Sequence, residues 1–383
     1  MMIYHLLPEL EQFCTQHGGA ISKNVSNIMR FDESRVVVCS ASDSSWGFPS
    51  ERIVVIPELL PYGKLKGRRF LPSWITGPFF RHVFRPLLSR LKQDDIVWCH
   101  NQPYFAAALE KSVHATGAKF ILHAHDPHIP STARNAFKSS SPDAWVFVSE
   151  SLRQRFVKLL PGLRNAYAVH NGADERLFYP LPALERQNNA APVVLCVGRL
   201  HPWKGVHVLV EAMKILQERG VPAHCRVVGS SFSGGSKATY YVRSLHRFSP
   251  SNVEFAPYRD AMEIAQEYRA ADILCCPSIW QEAFGNVNIE AMACAVPVVA
   301  TSVGGIPEIA SDGGILLVEP NSALAIADGL QRLIEDRDLR LRMGADGVKS
   351  FQRRFTWSAA CSRYREIAES VCEREGETVR AGI

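Results

Sequence analysis

Apolar runs of strand type alternate with amphipathic helical stretches through the first half of the chain. Each run ends in polar or turn residues, and the apolar positions between several runs recur at helical spacing. This alternation predicts an α/β domain with a parallel, doubly wound sheet. The predicted strands are Ile3–Leu7, Val36–Cys39, Ile53–Ile56, Ile96–Cys99, Phe120–Leu122, Trp145–Val148 and Tyr167–Val169.

The second half repeats this pattern most clearly between Asp272 and Pro307. An apolar run with turn residues behind it predicts a buried strand that leads into a loop. From about Asn286 the apolar positions predict a helix, and Val296 opens a second buried strand. The unit is therefore strand, loop, helix, strand.

Length and composition agree with two domains. The chain has 383 residues, of which 46% are hydrophobic and 21% charged, as is usual for globular proteins. The stretch Phe178–Pro192 is rich in Pro, Asn and Ala and is the predicted linker. We predict domains at 1–180 and 181–352, followed by a terminal segment at 353–383.

Composition favours a cytoplasmic protein. The ten cysteines show no C-x-x-C spacing, which predicts buried, reduced thiols rather than disulfides or a zinc site. Glu9 and Glu11 interrupt the apolar core that a signal peptide needs. The longest uncharged run, Ala291–Pro307, is broken by prolines and glycines. We expect neither a secretion signal nor a membrane span.

Two carboxylates, Glu282 and Glu290, lie where a parallel sheet of such units binds ligands, at the carboxyl ends of the strands. Between them Gly285 allows close approach of the backbone, and the following helix N-terminus suits an anion such as a diphosphate. A carboxylate beside an anion site is suited to hydroxyl groups, so the loop indicates a nucleotide sugar. The alternative is that Glu290 only complements the helix dipole.

Three segments resemble the retaining glycosyltransferases of family 4, also called glycosyl transferases group 1. They are EAFGNVNIEAMACAVPVVATSVGGIPEI, VGRLHPWKGVHVLVEAM and VHNGADERLFYP. The resemblance covers most of the chain from about Phe120 onward. It implies the GT-B fold, in which two Rossmann-like domains face a central cleft. The first domain would bind the acceptor and the second the nucleotide sugar, while the terminal helix at 353–383 would cross back to the first.

The resemblance also implies the roles of single residues. Arg199 and Lys204 would hold the donor diphosphate, Glu290 the ribose hydroxyls, and Glu282 and His125 the donor sugar. Fixed cations suit a departing diphosphate, because its negative charge grows in the transition state. The further donor contacts implied are Gly19, Pro257, Tyr258, Phe284, Gly285, Asn286 and Val287.

Two motifs raise the question of a metal. His123 and His125 share one face of their strand, whereas Asp126 points away, which fits a metal site poorly. Asp336 and Asp338 have the D-x-D form of metal-dependent transferases, but they open a helical stretch, where acidic residues are expected. We expect no metal and no other cofactor.

The basic charge is concentrated in the first half. Residues 1–190 hold 22 basic and 16 acidic residues, a balance of +6, whereas the remainder holds 21 and 22, a balance of −1. The segment Tyr62–Lys92 has eight basic residues, no acidic ones and interleaved aromatics. It could bind an anionic membrane surface or an anionic acceptor, or form a solvated helical hairpin. Without a nucleic-acid motif elsewhere, we expect no nucleic-acid partner.

Together these features predict a retaining, metal-independent glycosyltransferase. It would move a sugar from a nucleoside diphosphate, with UDP favoured, to a hydroxyl of a glycan or lipid-linked acceptor in surface polysaccharide or lipopolysaccharide biosynthesis. We expect it in the cytoplasm, either free or bound peripherally to the inner face of the cell membrane. The alternatives are a nucleotide-sugar epimerase, a glycan phosphorylase with pyridoxal phosphate, and a non-catalytic nucleotide-sugar-binding subunit.

Overall fold

The structure is a computed structural model that describes most of the chain. The described residues are 1–8, 11–14, 19–43, 45–56, 82–127, 137, 140–182, 191–231 and 239–380. The predictions made for Tyr62–Lys92 fall largely outside them, because only residues 82–92 of that segment are described. They stay predictions.

The chain forms two compact units, the first of which comprises Met1–Val169 and Cys361–Ile383. Its strands within the described residues are β1 (Ile3–Leu6), β2 (Arg35–Cys39), β3 (Ile53–Val55), β4 (Ile96–His100), β5 (Lys119–Ala124), β6 (Ala144–Phe147) and β7 (Ala166–Ala168). These seven strands form one parallel sheet in the order β3-β2-β1-β4-β5-β6-β7. The described helices of this unit are Ala20–Arg30, Arg85–Leu88, Pro103–His114 and Glu150–Leu159, joined by the part of Trp357–Arg380 that begins at Cys361.

All seven strands predicted for the first half are confirmed, each within two residues at either end. They form because runs rich in Val, Ile and aromatic residues fit a pleated sheet that is buried on both faces. Every residue of β1, β2, β4, β5 and β6 is buried. Five of these buried positions carry charged or imidazole side chains: His5, Arg35, His100, Lys119 and His123.

The second unit comprises His170–Ala360. Its strands within the described residues are β8 (Val193–Val197), β9 (His224–Val228), β10 (Val253–Ala256), β11 (Ile273–Cys276), β12 (Val298–Thr301) and β13 (Ile315–Val318). These six strands form one parallel sheet in the order β10-β9-β8-β11-β12-β13. The predicted strand, loop, helix and strand after Asp272 are all present. The helices are Val206–Glu218, Tyr240–Phe248, Ala261–Ala270, Asn286–Ala293, Ile306–Ala310, Ala323–Glu335 and Arg337–Arg354, and the first turn of Trp357–Arg380.

The limits of the two units differ from the predicted ones at 180 and 352. The first unit ends at Val169, since the chain that follows bonds within the second unit. There the backbone N–H of Ala173 donates to the carbonyl of Phe355 at 2.9 Å. The chain returns to the first unit at Cys361 rather than at 353.

Other predictions can also be compared with the structure. All ten cysteines are free, and nine of them are buried. Asp336 caps the helix that follows it, since its carboxylate accepts from the N–H of Leu339 at 2.8 Å. The helix-start interpretation of the D-x-D motif is therefore confirmed. Among the helices in the described part of the chain, none is both long and apolar enough to cross a membrane.

Candidate functional site

In the second unit, the candidate residues collect where the strand order reverses. From β8 the chain first adds strands on one side, β9 and β10, and then returns to add β11 to β13 on the other. Ligands of doubly wound sheets bind at the carboxyl ends of the strands beside such a reversal. Lys204 follows β8 and Glu282 follows β11, and these two strands are hydrogen-bonded neighbours.

Lys204 and Glu282 form an ion pair. The Nζ atom of Lys204 lies 2.8 Å from Oε1 and 2.7 Å from Oε2 of Glu282. Ser278 donates a further hydrogen bond to Oε2 at 3.0 Å. The lysine side chain is 33% exposed and the glutamate 19% exposed, so both are reachable by a ligand.

Glycines allow the backbones around this pair to approach closely. Gly205, directly after the lysine, has φ +68°, and a Cβ atom there would lie 1.9 Å from the carbonyl oxygen of Pro277. Gly304 has φ +55°, and its Cβ would lie 2.0 Å from the carbonyl oxygen of Glu282. Gly305 donates its N–H to that same carbonyl at 2.9 Å. The two glycine motifs therefore hold the chain segments that carry the lysine and the glutamate.

Glu290 lies on the helix Asn286–Ala293, which follows the same loop. The hydroxyl of Tyr268 donates to Oε2 of Glu290 at 2.8 Å. Tyr268 is buried, and burial raises the pKa of its phenol well above the usual value, so that the hydroxyl stays protonated and keeps donating. The carboxylate is thus held by a fixed donor, which a helix-dipole role alone would not require.

A glycine precedes this helix directly, as the sequence predicts. Gly285 has φ +100° and precedes the first helical residue. Its carbonyl accepts from both the backbone N–H and the side-chain amide of Asn288, each at 3.0 Å. Asn286 and Val287 are half-buried in the first turn. Phe284 is buried with its ring against those of His170 and Phe355, so only its backbone could meet a ligand.

The remaining candidates of the second unit are exposed near strand ends. Arg199 follows β8 by two residues, and within the described residues its side chain has no ion-pair partner. Pro257 and Tyr258 directly follow β10, at the far side of the same carboxyl edge. The structure thus brings Lys204 and Glu282 into contact, whereas the roles of these three residues stay predictions.

In the first unit, His125 directly follows β5 and belongs to a group of imidazoles. Its ring centroid lies 4.0 Å from that of His123 and 5.2 Å from that of His100. His123 and His125 do share a face, as predicted. Burial lowers the pKa of His125 to about 3 and the pKa values of His100 and His123 well below the usual range, so these rings are neutral.

A third histidine makes the geometry of this group closer to a metal site than the sequence indicates. One ring nitrogen from each of His100, His123 and His125 lies within 4.8 Å of the others. However, at least one nitrogen of each ring is already hydrogen-bonded, while Nε2 of His123 is buried without a partner. Nδ1 of His100 lies 2.9 Å from Nε2 of His125, and the indole N–H of Trp98 donates to Nδ1 of His123 at 3.2 Å.

Gly19 stands at the N-terminal end of the helix Ala20–Arg30, as predicted. The carboxylate of Glu11 occupies this end, and its Oε1 accepts from the N–H of Ser22 at 2.9 Å. A Cβ atom on Gly19 would lie 2.3 Å from the same oxygen. A ligand that met Gly19 would have to displace Glu11, so the donor role of Gly19 stays a prediction.

Several partners of the candidate residues were not predicted. Tyr268 and Ser278 hold the two glutamates, while His100 contacts His125. Ser278 lies in the same loop as Glu282, so proximity alone could have indicated it. The other two come from elements distant in sequence, and only the order of strands and helices brings them in.

Comparisons with known proteins show what this chain is similar to. The family described as "Glycosyl transferases group 1" matches residues 183–350. The D-inositol 3-phosphate glycosyltransferase of Corynebacterium efficiens is 36% identical over 221 residues, which are 54% of this chain and 52% of that protein. The chain thus spans about half the length of such relatives. Spore coat protein SA of Bacillus subtilis is 26% identical over 296 residues, 72% of this chain and 78% of that protein.

Solved structures show the fold. Anabaena Alr3699/HepE in complex with UDP and glucose superposes with a TM-score of 0.75 at 21% identity, covering 97% of this chain and 100% of that one. Sucrose-phosphate synthase from Thermosynechococcus elongatus gives a TM-score of 0.77 at 19% identity, covering 97% and 99%. With its two parallel sheets, the chain has the predicted GT-B fold.

Proposed function

We propose that this chain, whose residues 183–350 form a glycosyl transferases group 1 domain, is a retaining glycosyltransferase. It transfers a sugar from a nucleoside diphosphate sugar to a hydroxyl of a glycan or lipid-linked acceptor. The observation that carries the proposal is the ion pair of Lys204 with Glu282 at the strand-order reversal of the second sheet. A UDP-sugar is the favoured donor, because UDP and UDP-glucose are bound in the similar Anabaena structures.

The ion pair explains how a carboxylate can serve beside a diphosphate. An ammonium group has three N–H donors, and Glu282 accepts from Lys204 with both of its oxygens. The remaining N–H is available for a phosphate oxygen. The lysine charge then screens the glutamate from the diphosphate, and Glu282 can accept a hydrogen bond from the donor sugar.

The leaving group is the other half of the chemistry. Arg199 and Lys204 stabilise the negative charge that builds on the departing diphosphate, and fixed charges stabilise it more in the transition state than in the bound donor. The leaving phosphate oxygen takes the proton of the acceptor hydroxyl on the same face of the sugar, so the anomeric configuration is kept. No metal ion takes part in this scheme.

The hydroxyl groups of the donor are bound by one carboxylate and one neutral imidazole. Glu290, oriented by Tyr268, accepts from the ribose hydroxyls. His125 of the first unit binds the sugar, as the family resemblance implies. The acceptor belongs to the first unit, whose positive charge fits an anionic or lipid-linked glycan, and the setting is surface polysaccharide or lipopolysaccharide biosynthesis in the cytoplasm.

The test is the turnover of Lys204→Ala and Glu282→Ala. Each loses a group that stabilises the transition state, so we expect turnover to fall at least about 100-fold in both while the fold survives. Release of the nucleoside diphosphate from the donor measures the turnover, and circular dichroism checks the fold. Lys214→Ala is the matched control, because Lys214 pairs with Glu211 on an exposed helix face. Near-normal turnover in both variants would reject the assignment.

A further inference from the structure

A line of polar side chains crosses the otherwise apolar sheet of the first unit. Arg35 lies on β2, His5 on β1, His100 on β4, and His125 directly after β5, and these four strands are consecutive neighbours in the sheet. The first three side chains are 1% exposed or less. Burying so many polar groups is costly unless each has a hydrogen-bond partner.

The strand register places these side chains on one face. Ile3 lies beside Arg35, and His5, two residues further along β1, therefore points to the same side. His5 lies beside Trp98, two residues before His100. His100 in turn lies beside His123, two residues before His125. Tyr364 of the last helix covers this face, with its ring 5.3 Å from that of Trp98 and 5.7 Å from that of His123.

Hydrogen bonds join the four side chains into one chain. Nη1 of Arg35 lies 3.0 Å from Nε2 of His5. Nδ1 of His5 lies 2.9 Å from Nε2 of His100, and Nδ1 of His100 lies 2.9 Å from Nε2 of His125. His5 and His100 thus use both of their nitrogens, whereas His125 uses Nε2 and its Nδ1 has no hydrogen-bond partner among the described residues.

The arginine fixes the direction of every bond in this chain. A guanidinium group can only donate, so Nε2 of His5 must accept. A neutral imidazole that accepts at one nitrogen carries its proton on the other, so His5 donates from Nδ1 to His100. The same step repeats at His100, which donates from Nδ1 to His125. His125 must therefore carry its proton on Nδ1.

We propose that Arg35, His5 and His100 are positioning residues that fix His125 as the Nδ1–H tautomer and aim this N–H at an oxygen atom of the substrate. The role rests on the proposed function, in which His125 binds the donor sugar. The tautomer itself follows from the first unit alone. An imidazole ring that is fixed as a donor binds a hydroxyl or phosphate oxygen without a change of tautomer. The free-energy cost of forming this hydrogen bond in the correct geometry is therefore lower.

The arginine end of the chain is held in place. Nε of Arg35 donates to Oδ2 of Asp32 at 3.1 Å, and Arg52 donates to the carbonyl of Arg35 at 2.9 Å. Although burial lowers the pKa of Arg35, the charge of Asp32 raises it again, and arginine stays protonated at neutral pH. His5 stays neutral, because burial lowers its pKa well below the usual value and the charge of Arg35 lowers the pKa further.

The rival interpretation of the same histidines is a metal site. A metal takes a ring nitrogen that carries no proton. In this arrangement the unprotonated nitrogen of His100 accepts from His5, and that of His123 accepts from Trp98. A metal would have to break both bonds and reverse the proton order that Arg35 imposes. We therefore favour the ordered chain and treat metal binding as an outcome of the test.

The test reads the tautomers directly. In the full-length, substrate-free protein labelled with ¹⁵N-histidine, long-range ¹H–¹⁵N correlation spectra report which ring nitrogen carries the proton. Signals are assigned with single-histidine variants. We expect Nδ1–H for His5, His100 and His125 in the wild type. An Nε2–H signal for His125, or loss of the pattern when metal is stripped with a chelator, would overturn the proposal.

Two variants at the far end of the chain separate proton order from packing. Arg35→Met and Arg35→Lys both keep an unbranched side chain, but only lysine can still donate to His5. We expect a mixture of tautomers at His125 in Arg35→Met, with turnover reduced by about 10-fold, the lower end of the effect of losing a hydrogen-bond partner of a metal-binding histidine. We expect Arg35→Lys to restore the Nδ1–H signal and most of the turnover.

If Arg35→Met does not fold, His5→Leu takes its place in the same test. This variant interrupts the series of hydrogen bonds one bond nearer to His125. A wild-type tautomer pattern in the broken chain, or equal turnover of the methionine and lysine variants, would contradict the positioning role. These readouts differ from those for the proposed function. A protein that keeps the ordered tautomers but transfers no sugar would refute the transferase and leave the proton order intact.

Discussion

At the scale of single residues, the candidate site is defined by how its carboxylates are held. Glu282 is gripped by Lys204 and Ser278, and Glu290 by Tyr268. Such fixed orientations matter because a carboxylate that binds hydroxyl groups must present its lone pairs in the right direction before the ligand arrives. The hydroxyl of Tyr268 therefore belongs to the proposed nucleotide site although it is buried.

Tyr268→Phe removes this hydroxyl and keeps the ring. The carboxylate of Glu290 then loses a charge-assisted hydrogen bond, worth about 1.5–3 kcal/mol. We expect nucleoside diphosphate affinity to fall about 10-fold, since the freed side chain must be ordered again on binding. Isothermal titration calorimetry with UDP measures this change.

Tyr241→Phe is the control for that experiment. The hydroxyl of Tyr241 lies 3.0 Å from Nδ1 of His207, on the helix Val206–Glu218, and holds none of the proposed ligand contacts. We expect this variant to bind UDP like the wild type. Equal affinities for all three proteins would show that Tyr268 does not orient the nucleotide site.

The sequence alone indicates those candidate residues that stand in motifs, but it does not indicate the buried partners of His125. Glu282, Lys204 and Arg199 stand in motifs, so the sequence alone indicates them. His5 and Arg35 sit inside apolar strand runs, where a single polar residue signals burial but not its partner. Their contact depends on β1 lying beside β2, and spacing along the chain does not encode that order.

At the scale of elements, glycines decide how closely the segments of the site can pack. Gly205 and Gly220 flank the helix Val206–Glu218, at its start and just after its end. Both have positive φ values, +68° and +70°. Only Gly205 has a close neighbour, the carbonyl of Pro277, whereas nothing lies within 4 Å of a Cβ atom at Gly220.

This pair makes a matched comparison of backbone strain with close packing. We expect Gly220→Ala to cost about 1–2 kcal/mol of unfolding free energy, the penalty of a left-handed backbone for alanine. Gly205→Ala adds a steric overlap at 1.9 Å, so the loop that carries Lys204 must move away from Pro277. We expect at least about 3 kcal/mol there. Urea unfolding measures both, and equal costs would contradict the close-approach role.

Most elements of the two sheets were predictable, because long runs of buried β-branched residues leave few alternatives. The strand ends and the loop, helix and strand around Glu282 agree with the prediction for the same reason. The occupation of the helix end at Gly19 by Glu11 was not predictable. It depends on how a loop folds back onto a helix, and the sequence pattern carries no information about that.

At the scale of the whole molecule, the two sheets repeat one design. In each, the chain starts at a central strand, extends to one side and then returns to the other. The strand pairs at these reversals are β1 with β4 and β8 with β11. His5 and His100 lie on the first pair, while Lys204 and Glu282 follow the second. These polar residues therefore lie on or after the strand pairs beside which such folds bind ligands.

The boundary between the units shows what composition cannot reveal. A stretch rich in Pro and Asn predicts a linker near residue 180, yet the first unit ends at Val169. The residues in between bond to the second unit, for example through the amide of Asn171, which donates to Asn286 at 3.0 Å. Turn-forming composition predicts where regular structure stops, but long-range contacts determine to which unit a segment belongs.

The central claim is that the second unit binds a nucleoside diphosphate sugar through Lys204. The most direct measurement is thermal unfolding of the wild type and Lys204→Ala with a panel of UDP-, GDP-, ADP- and dTDP-sugars. A ligand at 100 times its dissociation constant stabilises the native state by about 2.7 kcal/mol. We predict that one nucleotide class, UDP above all, raises the melting temperature of the wild type and does so far less in the variant. No shift with any donor, or equal shifts in both proteins, would contradict the account.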